Sequence, residues 1–295
     1  MDAIFDFQGT KLDIVGGGGC GYLVKGINHR GYNYSTSASS PVVVNNADGG
    51  PENTLPAYIL SAQKGFKYVE CDVAFTLDGY AVLLHDSTIN RTSNGTGAIN
   101  SLTLAQAQSY NFNYILGTEI PGFSGVTIPT FEDFIKLCRD LSLHPYIELK
   151  SDGSYTEAQI QSIVDMVEAA GMKGKVTYIS FNPTYLGYVK DYDDEARLGF
   201  VVFDASASPS PGLTQANIDI ALALRTGKNE VFMDSRVMTD AACSLCISND
   251  IPLETWGICN DDTKANIIAL NPYFTGVTSN KWDAGKVLYE NAIGS

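Results

Sequence analysis

No apolar run in this chain approaches the roughly 20 residues that cross a bilayer, and no basic segment followed by an apolar stretch opens it. Neither an anchor nor a signal peptide is expected, which points to a cytoplasmic protein without membrane insertion unless the sequence is a truncated form of an exported one. Cysteine is sparse: six residues (Cys20, Cys71, Cys138, Cys243, Cys246, Cys259) scattered over 295, too few and too dispersed for a disulfide scaffold. Cys243 and Cys246 make one C-x-x-C, but the surrounding segment reads as a helix and no second pair completes a zinc site. Basic residues are outnumbered 19 to 33, for a formal charge of −14, which argues against a nucleic-acid partner. Positive charge for an anionic ligand must therefore come from a metal ion or a few placed side chains. Histidine is scarcer still, with three residues, His29, His85 and His144.

What is present is a soluble-protein composition, 44% hydrophobic, in a length that suits one large domain. Residues 1–24 read as an extension or linker, because Gly16-Gly17-Gly18-Gly19 resists regular structure and lacks the Lys-Ser/Thr of a phosphate loop. From Lys25 to residue 295, β-branched and aromatic runs alternate with amphipathic helical patterns, the signature of a parallel sheet wrapped by helices. The strand-like runs are 26–29, 68–75, 81–85, 145–149, 176–181, 198–203, 231–233, 252–256 and 276–279. The helical patterns are 54–64, 130–141, 156–170, 215–223, 240–249 and 261–270. A count near eight favours an α/β fold of the (β/α)8 barrel type over an open sheet. One run is surplus, and Leu77-Asp78-Gly79 offers the reason: a hairpin near 68–86 makes the barrel irregular and sets Asp72 opposite or nearly opposite His85.

Within the run Glu70-Cys71-Asp72, residues i and i+2 of a strand point the same way about 6.6 Å apart, so two carboxylates converge on one face. Glu148 and Lys150 repeat the arrangement on a later strand. Singly, each is an ordinary charged strand residue facing solvent, and His85-Asp86 alone is an ordinary turn. Together, charges inside a barrel demand pairing or a metal, and three carboxylates suit a hard cation, Ca²⁺ or Mg²⁺. His144 stands roughly 13 Å from Glu148 at the usual strand rise and reads as structural, on the far side of the barrel.

The ordered set His29-Arg30-Gly31, Pro51-Glu52-Asn53-Thr54, Glu70-x-Asp72-Val73, Asp78-Gly79, His85-Asp86, Asn90-Arg91-Thr92, Ile128-Pro129-Thr130-Phe131 and Glu148-Leu149-Lys150 resembles the glycerophosphodiester phosphodiesterase family. The resemblance implies a barrel and metal-dependent hydrolysis of glycerophosphodiesters to glycerol 3-phosphate and an alcohol. It implies His29 and His85 as acid/base residues, Glu70, Asp72 and Glu148 as ligands of one divalent cation, and Arg30 and Lys150 as phosphate contacts. Trp256 corresponds to a family tryptophan near the substrate, and Glu52 to a glutamate near the metal that alternatively pairs with Arg30. Two departures bear on the substrate: the Asn/Ser-rich insertion 32–50, expected at the catalytic face, and an ending in which Ser279 stands where the family is usually acidic. The alternatives are a lipid phosphodiesterase of the phospholipase or sphingomyelinase type, which would need an exposed apolar rim, and a non-catalytic module binding glycerol-phosphate polymers, which would usually have lost a histidine or a ligand. Oligomeric state is not readable from the sequence.

Overall fold

Eight parallel strands close on themselves to make a barrel, and the ninth expected run is the return arm of a hairpin. The computed structural model describes residues 4–6, 11–14, 22–34, 36–37, 40–44, 48–151, 155–202, 213–226, 228, 230–235, 240–256 and 274–279. An antiparallel ribbon, β1 (Ile4–Asp6) and β2 (Lys11–Ile14), lies on the first half of β3 (Tyr22–Asn28). The insertion that follows contains its own two-stranded sheet, β4 (Thr36–Ser37) with β5 (Ser40–Val44). After α1 (Leu55–Gln63) come β6 (Tyr68–Phe75) and β7 (Ala81–Leu83), then a long excursion carrying α2 (Leu104–Ala107), β8 (Tyr114–Ile115) and β9 (Thr118–Glu119). Strand–helix alternation then continues through α3 (Phe131–Asp140), β10 (His144–Leu149), α4 (Glu157–Ala169), β11 (Thr177–Ser180) and α5 (Pro183–Tyr192). The remaining elements are β12 (Arg197–Val202), α6 (Gln215–Leu224), β13 (Val231–Ser235), α7 (Asp240–Ser248), β14 (Leu253–Trp256) and β15 (Phe274–Ser279). The staves run β3-β6-β10-β11-β12-β13-β14-β15 and return to β3, every pairing parallel.

β7 instead runs antiparallel to β6, with Val73 opposite Leu83. The tight link is possible because Gly79 takes φ 84° and donates its amide to Thr76 O at 3.0 Å. Helix starts are set by local chemistry: Thr130, Thr156 and Thr214 each accept a hydrogen bond from the amide three residues on. α5 was not among the expected helices. Its signal is Asn182-Pro183, in which the asparagine caps the Thr184 amide and proline fits the first turn, where no amide partner is lost. The Gly16–Gly19 run and the expected helix 261–270 lie outside the described residues.

The main core lies between sheet and helices, where Val69, Cys71, Val73, Ile147 and Leu149 meet Phe131, Phe134, Ile135 and Cys138. Cys71 and Cys138 are buried thiols without a disulfide, and Cys246 is buried on α7, as expected for small core residues. Inside the barrel, Ile27, Tyr146, Ile179, Val201 and Phe232 fill the space. Gly199 makes room for them, since a Cβ there would lie 2.3 Å from Phe232 Cζ. Arg197 reaches into this layer half-buried, 2.6 Å from Glu254 and with its guanidinium 4.0 Å from the Phe232 ring centre. His144 bonds Thr177 Oγ1 at 2.9 Å from the first residue of β10, the end remote from Glu148 and Lys150. Among the described residues, no helix is long and apolar enough to cross a membrane.

Candidate active site

Strand alternation sorts β6: Val69, Cys71 and Val73 join the helix-facing core, leaving Glu70 and Asp72 to point inward. Parallel register then places Glu148 of β10 beside Asp72. A carboxylate oxygen from each of Glu70, Asp72 and Glu148 lies within 4.8 Å of one from each of the others, and all three residues are buried. Among the described residues, none donates a hydrogen bond to Glu70 Oε1 or Asp72 Oδ1.

Three like charges in so small a volume repel one another strongly. Burial and the neighbouring carboxylates Asp72 and Glu148 push the Glu70 carboxyl well above the ordinary range, and burial and Asp72 also push Glu148 up. Burial acts the same way on Asp72, but the charges of Arg30, His85, Lys150 and His29 outweigh it and hold Asp72 ionised, far below the ordinary range. The result is one firmly ionised carboxylate, Asp72, flanked by two whose acidity is weakened by burial and by their neighbours.

The other groups arrive from neighbouring loops. His29 follows β3, with Nε2 3.7 Å from Glu70 Oε2. Arg30 turns the chain at φ 54°, donates its backbone amide to Glu70 Oε2 at 3.0 Å, and brings Nε within 3.1 Å of Asp72 Oδ2. Lys150, beyond β10, stands 3.0 Å from Glu148 and 3.5 Å from Asp72. The hairpin register sets Leu84, whose amide donates to Asp72 O at 3.0 Å, opposite Asp72; His85 follows one residue later, beyond the end of β7, and is near enough to act electrostatically on Asp72. His85 Nδ1 lies 2.7 Å from Asp86 Oδ1.

Two residues of the site had no assigned role in the sequence analysis. Asn53, also at positive φ (54°), donates Nδ2 to Asp72 Oδ2 at 2.8 Å and accepts both the Asp72 amide and the Tyr58 hydroxyl on Oδ1. Arg91 grips Glu52 with two bonds of 2.7 Å and Asp86 with bonds of 2.8 and 3.0 Å. Both stood inside the quoted motifs, but their partners are distant in sequence and nothing local announces them. Glu52 pairs with Arg30 at 3.1 Å and with Arg91 at 2.7 Å. Trp256 ends β14 opposite Thr278, and its side chain lies outside the described residues.

Counting charges, Glu52, Glu70, Asp72, Asp86 and Glu148 in their ionised forms supply five negatives and Arg30, Arg91 and Lys150 supply three positives, a difference of two. One divalent cation would balance it. All the candidate ligands are oxygens, which suits a hard ion.

Glu52 gives a test of this electrostatic frame. Burial alone would raise its pKa, but Arg30 and Arg91 hold it down at about 2, against an ordinary 4.5. That displacement corresponds to about 3 kcal/mol of folding stability. Because the folded-state value is depressed, the contribution is complete above the ordinary value and is lost as pH falls toward 2. Urea denaturation should therefore find Glu52→Gln less stable than the parent by a few kcal/mol at pH 7, with the gap narrowing steadily between pH 4.5 and 3. A gap that does not change with pH would contradict the assignment.

Comparison with known proteins gives a consistent result. Residues 29–267 match the model of the glycerophosphoryl diester phosphodiesterase family. A glycerophosphodiester phosphodiesterase of Caldanaerobacter subterraneus is 28% identical over 151 residues, covering 51% of this chain and 61% of that protein. Glycerophosphodiester phosphodiesterase 1 of Mus musculus is 35% identical over 115 residues, covering 38% of this chain and 34% of that protein. The matched stretches thus span between a third and three-fifths of those relatives' lengths. Among solved structures, a putative glycerophosphoryl diester phosphodiesterase from Silicibacter pomeroyi has a TM-score of 0.71 at 16% identity, covering 92% of this chain and 95% of that one. A phosphodiesterase from Oleispira antarctica, solved in complex with the product sn-glycerol-3-phosphate, has a TM-score of 0.64 at 23% identity, covering 92% and 96%. At these identities the structural likeness establishes the fold.

Proposed function

The chain belongs to the glycerophosphoryl diester phosphodiesterase family, and from that membership we propose that it hydrolyses glycerophosphodiesters to glycerol 3-phosphate and an alcohol. The observation that carries the proposal is the convergence of Glu70, Asp72 and Glu148 within 4.8 Å, with His29, Arg30 and Lys150 in contact with them and His85 beside Asp72. Glu70, Asp72 and Glu148 would hold a divalent cation, Ca²⁺ or Mg²⁺, which when bound supplies Lewis-acid stabilisation of phosphoryl oxygens. Arg30 and Lys150 add fixed positive charge where the nonbridging oxygens gain charge as the ester bond breaks. One histidine takes the proton from the attacking oxygen and the other donates a proton to the departing alkoxide, so phosphorus gains one P–O bond as it loses another. Trp256, at the end of β14, is proposed to contribute to substrate binding. The partner is a small-molecule diester.

The test is a panel of glycerophosphodiesters with choline, ethanolamine, inositol and glycerol head groups, assayed for glycerol 3-phosphate with and without chelator. Release from at least one diester, abolished by chelation and restored by Ca²⁺ or Mg²⁺, is the expected result. No release from any member would overturn the activity, and release that survives complete chelation would remove the cation from it.

A further inference from the structure

Arg91 is the one strongly bound cation of the site that contacts neither the three-carboxylate cluster nor either histidine directly in the bonds described. Its guanidinium nevertheless uses its full fork. Nη1 and Nη2 donate to the two oxygens of Glu52, both at 2.7 Å, while Nε and Nη2 donate to Asp86 Oδ2 and Oδ1 at 2.8 and 3.0 Å. Asp86 Oδ1 is also the partner of His85 Nδ1 at 2.7 Å. The plane of the Asp86 carboxylate is thus fixed by two parallel bonds from a rigid guanidinium, and the imidazole ring is fixed by that carboxylate. The backbone around Arg91 is anchored as well: Leu116 donates its amide to Arg91 O at 2.8 Å, which ties the loop to the β8–β9 hairpin.

An ionised carboxylate only accepts hydrogen bonds. Asp86, bonded by His85 and Arg91, is kept ionised against its partial burial. The proton between Asp86 and His85 is therefore carried on Nδ1, which leaves Nε2 as the nitrogen that exchanges a proton with substrate.

We propose that Arg91 is a positioning residue: by bridging Asp86 and Glu52 it holds His85 in the tautomer and orientation that proton transfer requires. The inference rests on the reading of His85 as an acid/base residue. It differs from a structural role for Arg91, in which the guanidinium merely neutralises the buried Glu52. A structural role needs only the charge, whereas a positioning role needs the fork, because an ammonium cannot make paired bonds to two carboxylates at once.

The experiment compares Arg91→Lys, Asp86→Asn and His85→Ala, singly and combined, with circular dichroism and thermal melts confirming folding of each. Arg91→Lys keeps the positive charge opposite Glu52 and so guards against simple loss of the fold. Outer partners of this kind typically affect activity about 10–100-fold. Arg91→Lys and Asp86→Asn should each lower kcat by about that factor for an unactivated glycerophosphodiester, with KM changed less than about threefold. In the His85→Ala background neither should lower kcat further by more than about twofold, because the group they act through is gone. Wild-type kcat in Arg91→Lys, or full additivity with His85→Ala, would overturn the positioning role. If His85→Ala itself keeps full activity, the reading of His85 fails first; if it loses activity while Arg91→Lys and Asp86→Asn do not, only the present inference fails.

Discussion

Alanine at His29 or at His85 should each lower kcat for an unactivated glycerophosphodiester by about 10²–10⁴-fold, the usual contribution of one general acid or base. The two side chains reach the site from different elements, His29 from the turn after β3 beside Glu70 and His85 from the end of the β6–β7 hairpin beside Asp86. Each is half-buried, with 22% and 33% of the side chain exposed, so each can meet both a substrate and the buried charges. Phosphodiester cleavage needs two proton transfers, one from the attacking oxygen and one to the departing alkoxide, and an imidazole can serve either near neutral pH. The two variants should differ in one respect. A nitrophenyl ester leaves as a stable anion and needs no proton, so the variant lacking the general acid should recover most of its rate on that substrate, while the variant lacking the base should not. KM should change little in either, because on the proposed reading Arg30, Lys150 and a bound cation, not the histidines, would hold the anionic phosphate. Rates measured on both ester types decide the matter: two variants with undiminished rates would remove the histidines from the mechanism, and equal recovery of both would remove their division of labour.

Much of this arrangement was legible in the sequence because it depends on short-range regularities. The period of two places Glu70 and Asp72 on one face, the Leu77-Asp78-Gly79 turn forces β7 back along β6, and the alternation of runs gives the barrel. The structure keeps all three, and the strand limits expected near 68–75, 145–149 and 252–256 fall within a residue or so of β6, β10 and β14. What was not legible depends on long-range meetings. Arg91 and Glu52 are 39 positions apart, and Arg197 and Glu254 are 57 apart. Each pair is made by barrel closure or loop return, and a lone arginine in a loop or on a strand reads as solvated until its partner is placed. The positive φ of Arg30 and Asn53 was equally hidden, because neither is glycine. That geometry turns one residue to bond Glu70 and the other to bond Asp72, and it is imposed by the site. α5 is a different case: Asn182-Pro183 did announce it, but its apolar pattern is too weak to be read as a helix without the cap.

Replacing Asp72 by asparagine should produce the largest loss of all, and it should appear in two independent measurements. Asp72 is fully buried and is the group on which the site's charges converge, with Arg30 at 3.1 Å, Lys150 at 3.5 Å and Asn53 at 2.8 Å. Removing its charge while keeping its shape takes a counter-ion from two half-buried cations, a change that costs up to about 3–5 kcal/mol of stability where the pair is buried. It also takes one of three anionic oxygens from the candidate cation site, and loss of a cation that stabilises phosphoryl charge by several kcal/mol corresponds to roughly 10³-fold or more in rate. The two effects separate through the cation itself. A ligand that binds only the folded state stabilises it by an amount that grows with concentration, reaching about 2.7 kcal/mol at a hundredfold excess over Kd. The parent protein should therefore melt at a higher temperature as Ca²⁺ or Mg²⁺ is added. That shift should grow as pH rises above the ordinary carboxylate range, because a cation bound there would compete with protons for Glu70 and Glu148, whose carboxyls are held above that range. Asp72→Asn should melt lower at the outset and respond little to either ion. An undiminished melting response in Asp72→Asn would place the cation elsewhere, and an undiminished rate would detach catalysis from the buried carboxylates altogether.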